Sequence, residues 1–117
     1  MDKSILDIKD VLERVQDDWE LLMELLDIFS EDYVEKREHL NELIRDNDLE
    51  EIRNIAHSIK GAAGNISAKA MHTTCEKIEK LAEANNLAPI KDLLPQLDKQ
   101  FIELEGCIKE LQKGKRG

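Results

Sequence analysis

The sequence predicts an all-α fold: an antiparallel, up-down-up-down four-helix bundle with a short extra helix at its N-terminal end. Three observations carry this. Leu, Ile, Glu, Lys and Ala dominate a chain with only 3% aromatic residues, five glycines and two prolines, the composition of helices packed on helices. Apolar residues recur at three- and four-residue spacing over long stretches, and no segment alternates as a strand would. Short polar breaks separate these stretches, so consecutive helices become antiparallel neighbours. At 117 residues the chain has the size of one domain. Residues 1–113 form the expected bundle, and 114–117 a tail expected to fray.

The first helix is short, over about residues 7–15. The second runs from about Asp18 to Arg45 with Leu22, Leu25, Leu26, Phe29, Tyr33, Leu40, Leu43 and Ile44 on one stripe. Asp46-Asn47-Asp48 breaks it; Asp48 is a good N-cap, and Glu51 completes a capping-box-like start to the third helix. That helix runs from Leu49 to about Gly64, with Ile52, Ile55, Ala56, Ile59 and Ala63 inward and Gly64-Asn65 as its stop. Ser67 is placed to cap a fourth helix over about 68–84, with Met71, Cys75, Ile78 and Ala82 inward. Asn85-Asn86 ends it. Pro89 suits the first turn of a fifth helix over about 89–112, in which Pro95 is expected to cause a kink or to move the true start downstream.

Charge and composition remove several function classes. The formal net charge is −9, which disfavours nucleic acid or an anionic membrane as a partner. No apolar run approaches the length of a membrane span, and the N-terminus has no apolar signal core. A cytoplasmic, monomeric protein is the resulting expectation. Cys75 and Cys107 read as buried small hydrophobes. No metal-ligand spacing, P-loop, Ser-His-Asp set or HExxH motif is present, so neither a cofactor nor a nucleotide site of the chain's own is expected.

The third helix carries the candidate chemistry. On a helical wheel His57 lies about 140° from the core direction and points to solvent. Arg53, Lys60, Gly61 and Gly64 share its strip. Glycine in a helix interior costs roughly 1 kcal/mol against alanine. Gly64 reads as a terminal signal, whereas Gly61 reads either as clearance for an approaching protein or as a tolerated surface glycine. His39 and His72 read as ordinary surface residues. His57 differs because Arg53 and Lys60 form a small cationic patch that suits a phosphoryl group, and imidazole is a nucleophile at neutral pH.

The run Ala56-His57-Ser58-Ile59-Lys60-Gly61-Ala62-Ala63-Gly64-Asn65-Ile66-Ser67-Ala68 resembles the signature of histidine-containing phosphotransfer (HPt) domains, roughly A-H-x-(L/I)-K-G-x-x-x-N-(L/I)-(G/S)-A. The order and lengths of the five expected helices resemble that family too. The resemblance implies that His57 accepts the phosphoryl group, Lys60 supports it, Gly61 leaves room for the docking partner, and Asn65 shapes the end of the third helix; the helical wheel adds Arg53 as a supporting cation and Gly64 beside Gly61 on the docking strip. Gly64 departs from the family, where Ala or Ser is more usual. Family members often place Gln or Glu 22 residues after the histidine to hold one ring nitrogen, and that position is Glu79. It falls on a flanking stripe of the fourth helix with His72, Glu76 and Glu83, outside the core face.

The implied function is that of a phosphocarrier, not an enzyme with its own ATP site. It would relay a phosphoryl group between His57 and an aspartate on a response-regulator receiver domain, with a sensor or hybrid histidine kinase upstream. A chemotaxis-kinase-type substrate domain is a variant of this reading, and a non-catalytic interaction bundle is the alternative. A helical metalloprotein would need inward Glu and His ligands, which the pattern lacks.

Overall fold

The computed structural model describes residues 2–116, with side chains described through Gly114. Among the described residues there are five helices: α1 (Ile8–Arg14), α2 (Trp19–Arg45), α3 (Leu49–Asn65), α4 (Lys69–Glu83) and α5 (Leu87–Arg116). No strand occurs among them. α2 to α5 pack as consecutive antiparallel neighbours, with α5 closing onto α2 and α1 lying against the end of the bundle. The molecule is a rod 47 Å long and 20 Å across. Its length is set by α2 and α5, which at about 1.5 Å per residue are roughly twice as long as α3 and α4.

Three turns close by one device. Asn47, Ser67 and Asn85 each take a positive φ of 54–60°, and the residue after each donates its N–H five residues back, to Leu43, Ala63 and Leu81. Such a left-handed step satisfies the last carbonyls of a helix while reversing the chain. At the α3–α4 turn, Ser67 takes this step. No described glycine has positive φ, so Gly64 is not the conformational stop that the sequence suggested, and α3 continues to Asn65.

Ser67 is likewise not the cap of α4. Ala68 holds that position without a side-chain bond. Ser67 is 3% exposed and its Oγ donates to Asp10 Oδ2 at 2.6 Å, tying α1 to the turn. Lys69 Nζ to Asp7 Oδ2 at 2.8 Å and Asp7 N to Ser67 O at 3.1 Å reinforce the same junction. The expected cap of α3 is present, with Asp48 accepting from Glu51 N, but Glu51 does not return the bond, since Asp48 N donates to Leu43 O; Asp18 caps α2 by accepting from Leu21 N.

Pro95 neither delays nor divides α5, which starts upstream at Leu87 and is helical past residue 112 to Arg116. Pro95 lies on the solvent face, so the carbonyl four residues earlier that loses its donor can be hydrated instead. Pro89 falls within the first turn, where its missing N–H costs nothing. Gly117, the last residue of the expected tail, lies outside the described residues.

The core runs the length of the rod through the inward stripes of all five helices, with Leu22, Leu26, Ile52, Ile59, Met71, Ile78, Ile90, Leu97 and Leu104 fully buried. Burial of such side chains is the main driving force of folding, about 1.5–3 kcal/mol each. Between α2 and α5, Tyr33 packs on Phe101 with ring centroids 4.3 Å apart. Beside them Arg37 makes a two-pronged contact with Asp98 at 2.7 and 3.0 Å. Cys75 is buried, which pushes its thiol up to about 12, while Cys107 is half-buried.

Candidate functional site

α3 presents its core face to the bundle through Ile52, Ile55, Ala56, Ile59 and Ala63, and this fixes His57 on the opposite, outward side. The His57 side chain is 66% exposed. Its two ring nitrogens nevertheless have different surroundings. Nδ1 lies 2.8 Å from Glu79 Oε2, and the other carboxylate oxygen of Glu79 accepts from Lys60 Nζ at 2.7 Å. One carboxylate therefore joins His57 and Lys60, which sit three residues apart on α3, to α4.

Glu79 is inside the protein, a correction to its expected place on an outer stripe. The residue is 8% exposed, packed among the inward residues of α4. A carboxylate there loses hydration and needs donors in exchange. Lys60, with its side chain 22% exposed, and His57 supply them. The Lys60 hydrogen bond, helped by that from His57, holds the Glu79 carboxyl below the usual carboxylate range against the opposing effect of burial. Glu79 correspondingly raises the Lys60 ammonium. Both groups are thus charged at neutral pH.

This arrangement has a chemical consequence. An ionised carboxylate can only accept, so Nδ1 of His57 carries the proton. In the neutral imidazole the Nε2 lone pair is then free and points away from the protein. A nucleophile with a fixed tautomer and an open approach is what the geometry provides.

The flanks of His57 differ. On the α4 side, Lys60 is bonded to Glu79, and Gly64 lies under the His72 ring. A Cβ built on Gly64 would stand 3.3 Å from His72 Nδ1. Gly64 is therefore filled from within the chain, contrary to its expected place in an open docking surface. His72 is correspondingly more than a surface residue: its Nδ1–H donates to the Lys60 carbonyl at 3.0 Å, and Nε2 lies 3.7 Å from Glu76. Gly61 is open, with nothing within 4 Å of a Cβ built there.

Arg53, one turn before His57, is half-buried and makes no ion pair or side-chain hydrogen bond among the described residues. Asn65 ends α3 with its residue exposed. Among the described residues, no three His, Cys, Asp or Glu side chains are grouped to hold a metal ion. No described helix is long and apolar enough to cross a membrane.

Sequence reasoning missed one neighbour, Lys36 of α2, whose Nζ reaches Ser58 Oγ at 2.7 Å beside His57. A count outward from the Asn47 turn would have found it, because residues 36 and 58 are equidistant from that turn in an antiparallel pair.

Comparison with known proteins identifies the family and the fold. The Hpt domain family model matches residues 24–114. The chain is similar in structure to histidine-containing phosphotransfer protein B (HptB) from Pseudomonas aeruginosa PAO1, with TM-score 0.81, 28% identity, and coverage of 89% of this chain and 92% of that one. It shares its fold with the HPT domain of the Hpt sensor hybrid histidine kinase from Shewanella, with TM-score 0.81, 17% identity, and 97% of both chains covered. Comparison with curated protein sequences finds no match.

Proposed function

This chain belongs to the Hpt domain family, phosphocarriers of two-component phosphorelays that work between histidine kinases and response regulators, and on that premise we propose that His57 is its phosphoryl acceptor, through Nε2. The observation that carries the assignment is the bond from His57 Nδ1 to the buried Glu79, which leaves Nε2 free and exposed.

The step balances without removal of a proton. The Nε2 lone pair attacks the phosphorus of a receiver aspartyl phosphate. The N–P bond forms as the P–O bond to the aspartate breaks, and the aspartate departs as a carboxylate. His57 is left as a phosphorylated imidazolium that still carries its Nδ1 proton. The negative charge of Glu79 faces that new positive charge at hydrogen-bond distance. Lys60 balances Glu79 and lies near the incoming phosphoryl oxygens, with Arg53 as a second cation on the same strip. In reverse, the aspartate carboxylate attacks phosphorus and Nε2 leaves.

The expected partner is a receiver domain, whose acidic pocket must meet a chain of net charge −9. The cations around His57 make the local contact face unlike the rest of the surface, and the open backbone at Gly61 admits the partner. A monomer without nucleic acid, membrane, metal or cofactor fits this role, as does a cytoplasmic location.

Transfer from a labelled, phosphorylated receiver tests the assignment. Wild-type protein should take acid-labile label, and His57→Gln should take none while keeping its helical spectrum. Normal labelling of His57→Gln would remove His57 from the site.

A further inference from the structure

Lys60 is held by α4 at both of its ends. Its ammonium donates to Glu79 Oε1 at 2.7 Å, and its main-chain carbonyl accepts from His72 Nδ1 at 3.0 Å. A carbonyl can only accept, so the His72 proton is on Nδ1. His72 and Glu79 are seven residues apart on α4. They therefore grip Lys60 from points roughly 10 Å apart along that helix. The grip at Glu79 continues to His57, whose Nδ1 lies 2.8 Å from the second carboxylate oxygen.

The seat of His72 depends on Gly64. The His72 ring lies against α3 one turn beyond Lys60, where a Cβ on Gly64 would stand 3.3 Å from Nδ1 and 3.7 Å from Cε1. The first distance is tighter than ordinary van der Waals contact, so a side chain at position 64 displaces the ring that reaches the Lys60 carbonyl. Little else fixes that ring. Its side chain is 39% exposed, and Nε2 faces Glu76 at 3.7 Å, beyond hydrogen-bond length. Gly64, a residue that weakens a helix, is thus matched to His72, and this gives the departure from the more usual Ala or Ser a physical cause.

Resting on the reading of His57 given above, we propose that His72 is a positioning residue for phosphotransfer. Seated on Gly64 and bonded to the Lys60 carbonyl, it locks the Lys60 turn of α3 against α4. That lock keeps the Lys60 ammonium on Glu79, and Glu79 on His57 Nδ1. His72 acts through these two residues and not on the phosphoryl group. An unconstrained imidazole in water favours the proton on Nε2, so any loosening of Glu79 removes part of the reactive Nδ1–H form of His57.

The test reads the His57 tautomer and the transfer rate in the same proteins. Nitrogen NMR of the ¹⁵N-labelled domain, at a pH where the ring is neutral, gives the share of the Nδ1–H form. Transfer from a phosphorylated receiver, at varied receiver concentration, gives the saturating rate and the half-saturating concentration. His72→Ala should lower the Nδ1–H share and cut the saturating rate about five-fold, with the half-saturating concentration near that of wild type. His72→Asn puts an amide donor near the place of Nδ1 and should recover most of both. Gly64→Ala should move both in the same direction by less, and should add nothing when residue 72 is already Ala. Ile108→Val, a core truncation in α5, controls for stability alone and should leave the tautomer as it is.

A wild-type tautomer share in His72→Ala overturns the proposal, as does a saturating rate within about two-fold of wild type. So does His72→Asn that recovers no more than His72→Ala, or a tautomer shift in Ile108→Val as large as that in His72→Ala. If His72→Ala does not fold, Gly64→Ala carries the test, and wild-type values of both readouts in that variant overturn the proposal. Label on His57→Gln in the same assay would count against the phosphoacceptor assignment itself, so the two failures are distinguishable.

Discussion

At His57 the orientation of one ring depends on one buried carboxylate, and the two roles of that carboxylate can be separated. Glu79→Gln keeps an oxygen that can accept from Nδ1–H, but it removes the charge that faces the phosphorylated imidazolium. Transfer should continue, with a smaller share of phosphoryl on His57 at equilibrium with a receiver. Glu79→Ala loses both roles and should slow transfer about ten-fold. The stability of the protein adds an independent readout. The Glu79 carboxyl is held below its ordinary range, so its contribution is fully present above that range and is lost as pH falls through the lowered value. Denaturation followed from neutral pH down past pH 4 should therefore show a flatter acid limb in Glu79→Gln than in wild type. An unchanged acid limb together with unchanged transfer would mean that the carboxylate is not coupled to the site.

Gly61 separates stability from docking in the same way. Nothing lies near the position of its missing Cβ, so Gly61→Ala should gain roughly 1 kcal/mol of stability through helix propensity alone. Gly61→Gln should also fold, but should obstruct the approach to Nε2 and lose most transfer. Paired thermal midpoints and receiver-transfer rates check both halves. Normal transfer by Gly61→Gln would make the glycine merely tolerated. At this scale the wheel correctly put His57 and Gly61 outward, because the core stripe of α3 is strongly one-sided. It could not place Glu79, Gly64 or His72, because their positions depend on the rotation of α4 against α3. Glu79 sits at the edge of the α4 core face, where a polar letter in the sequence reads as solvent unless its partners are known.

At the scale of the elements, the ends of the helices were legible where an Asp cap and Asn turns mark them, as at Asp48, Asn47 and Asn85. The α3–α4 turn was misread because glycine is the usual left-handed residue, while here Ser67 takes that step. Ser67 does so with its hydroxyl bonded to Asp10, 57 residues away in sequence, a contact no local pattern reveals. Pro95 was over-weighted because its cost depends on whether the orphaned carbonyl faces water, which is a matter of helix rotation. The α2–α5 seam carries a testable defect. The Tyr33 hydroxyl is buried without a hydrogen-bond partner among the described residues, and burial moves its pKa upward. Tyr33→Phe keeps the contact with Phe101 and removes an unpaired polar group, so stability should be unchanged or higher by about 1 kcal/mol. Chemical denaturation measures this, and a loss of more than that amount would show that the hydroxyl has a partner in solution.

For the whole molecule, the fold is a rod that presents His57 at the middle of one of its shorter helices. The bundle was legible from composition and periodicity because every helix has a one-sided apolar face and every connection is short. The site was legible on α3, where a helix wheel and a family signature overlap, and at Glu79, which the family spacing marks; the burial of Glu79 and the neighbouring Lys36 of α2 needed the packed structure. The account as a whole rests on one atom, since the Glu79 bond matters only if it leaves Nε2 as the nucleophile. The most direct test is nitrogen NMR of the ¹⁵N-labelled domain after transfer from a phosphorylated receiver. The account predicts a single phosphohistidine at His57, with phosphorus coupled to Nε2 and with Nδ1 still protonated. Phosphorus on Nδ1, or on any residue other than His57, would contradict it.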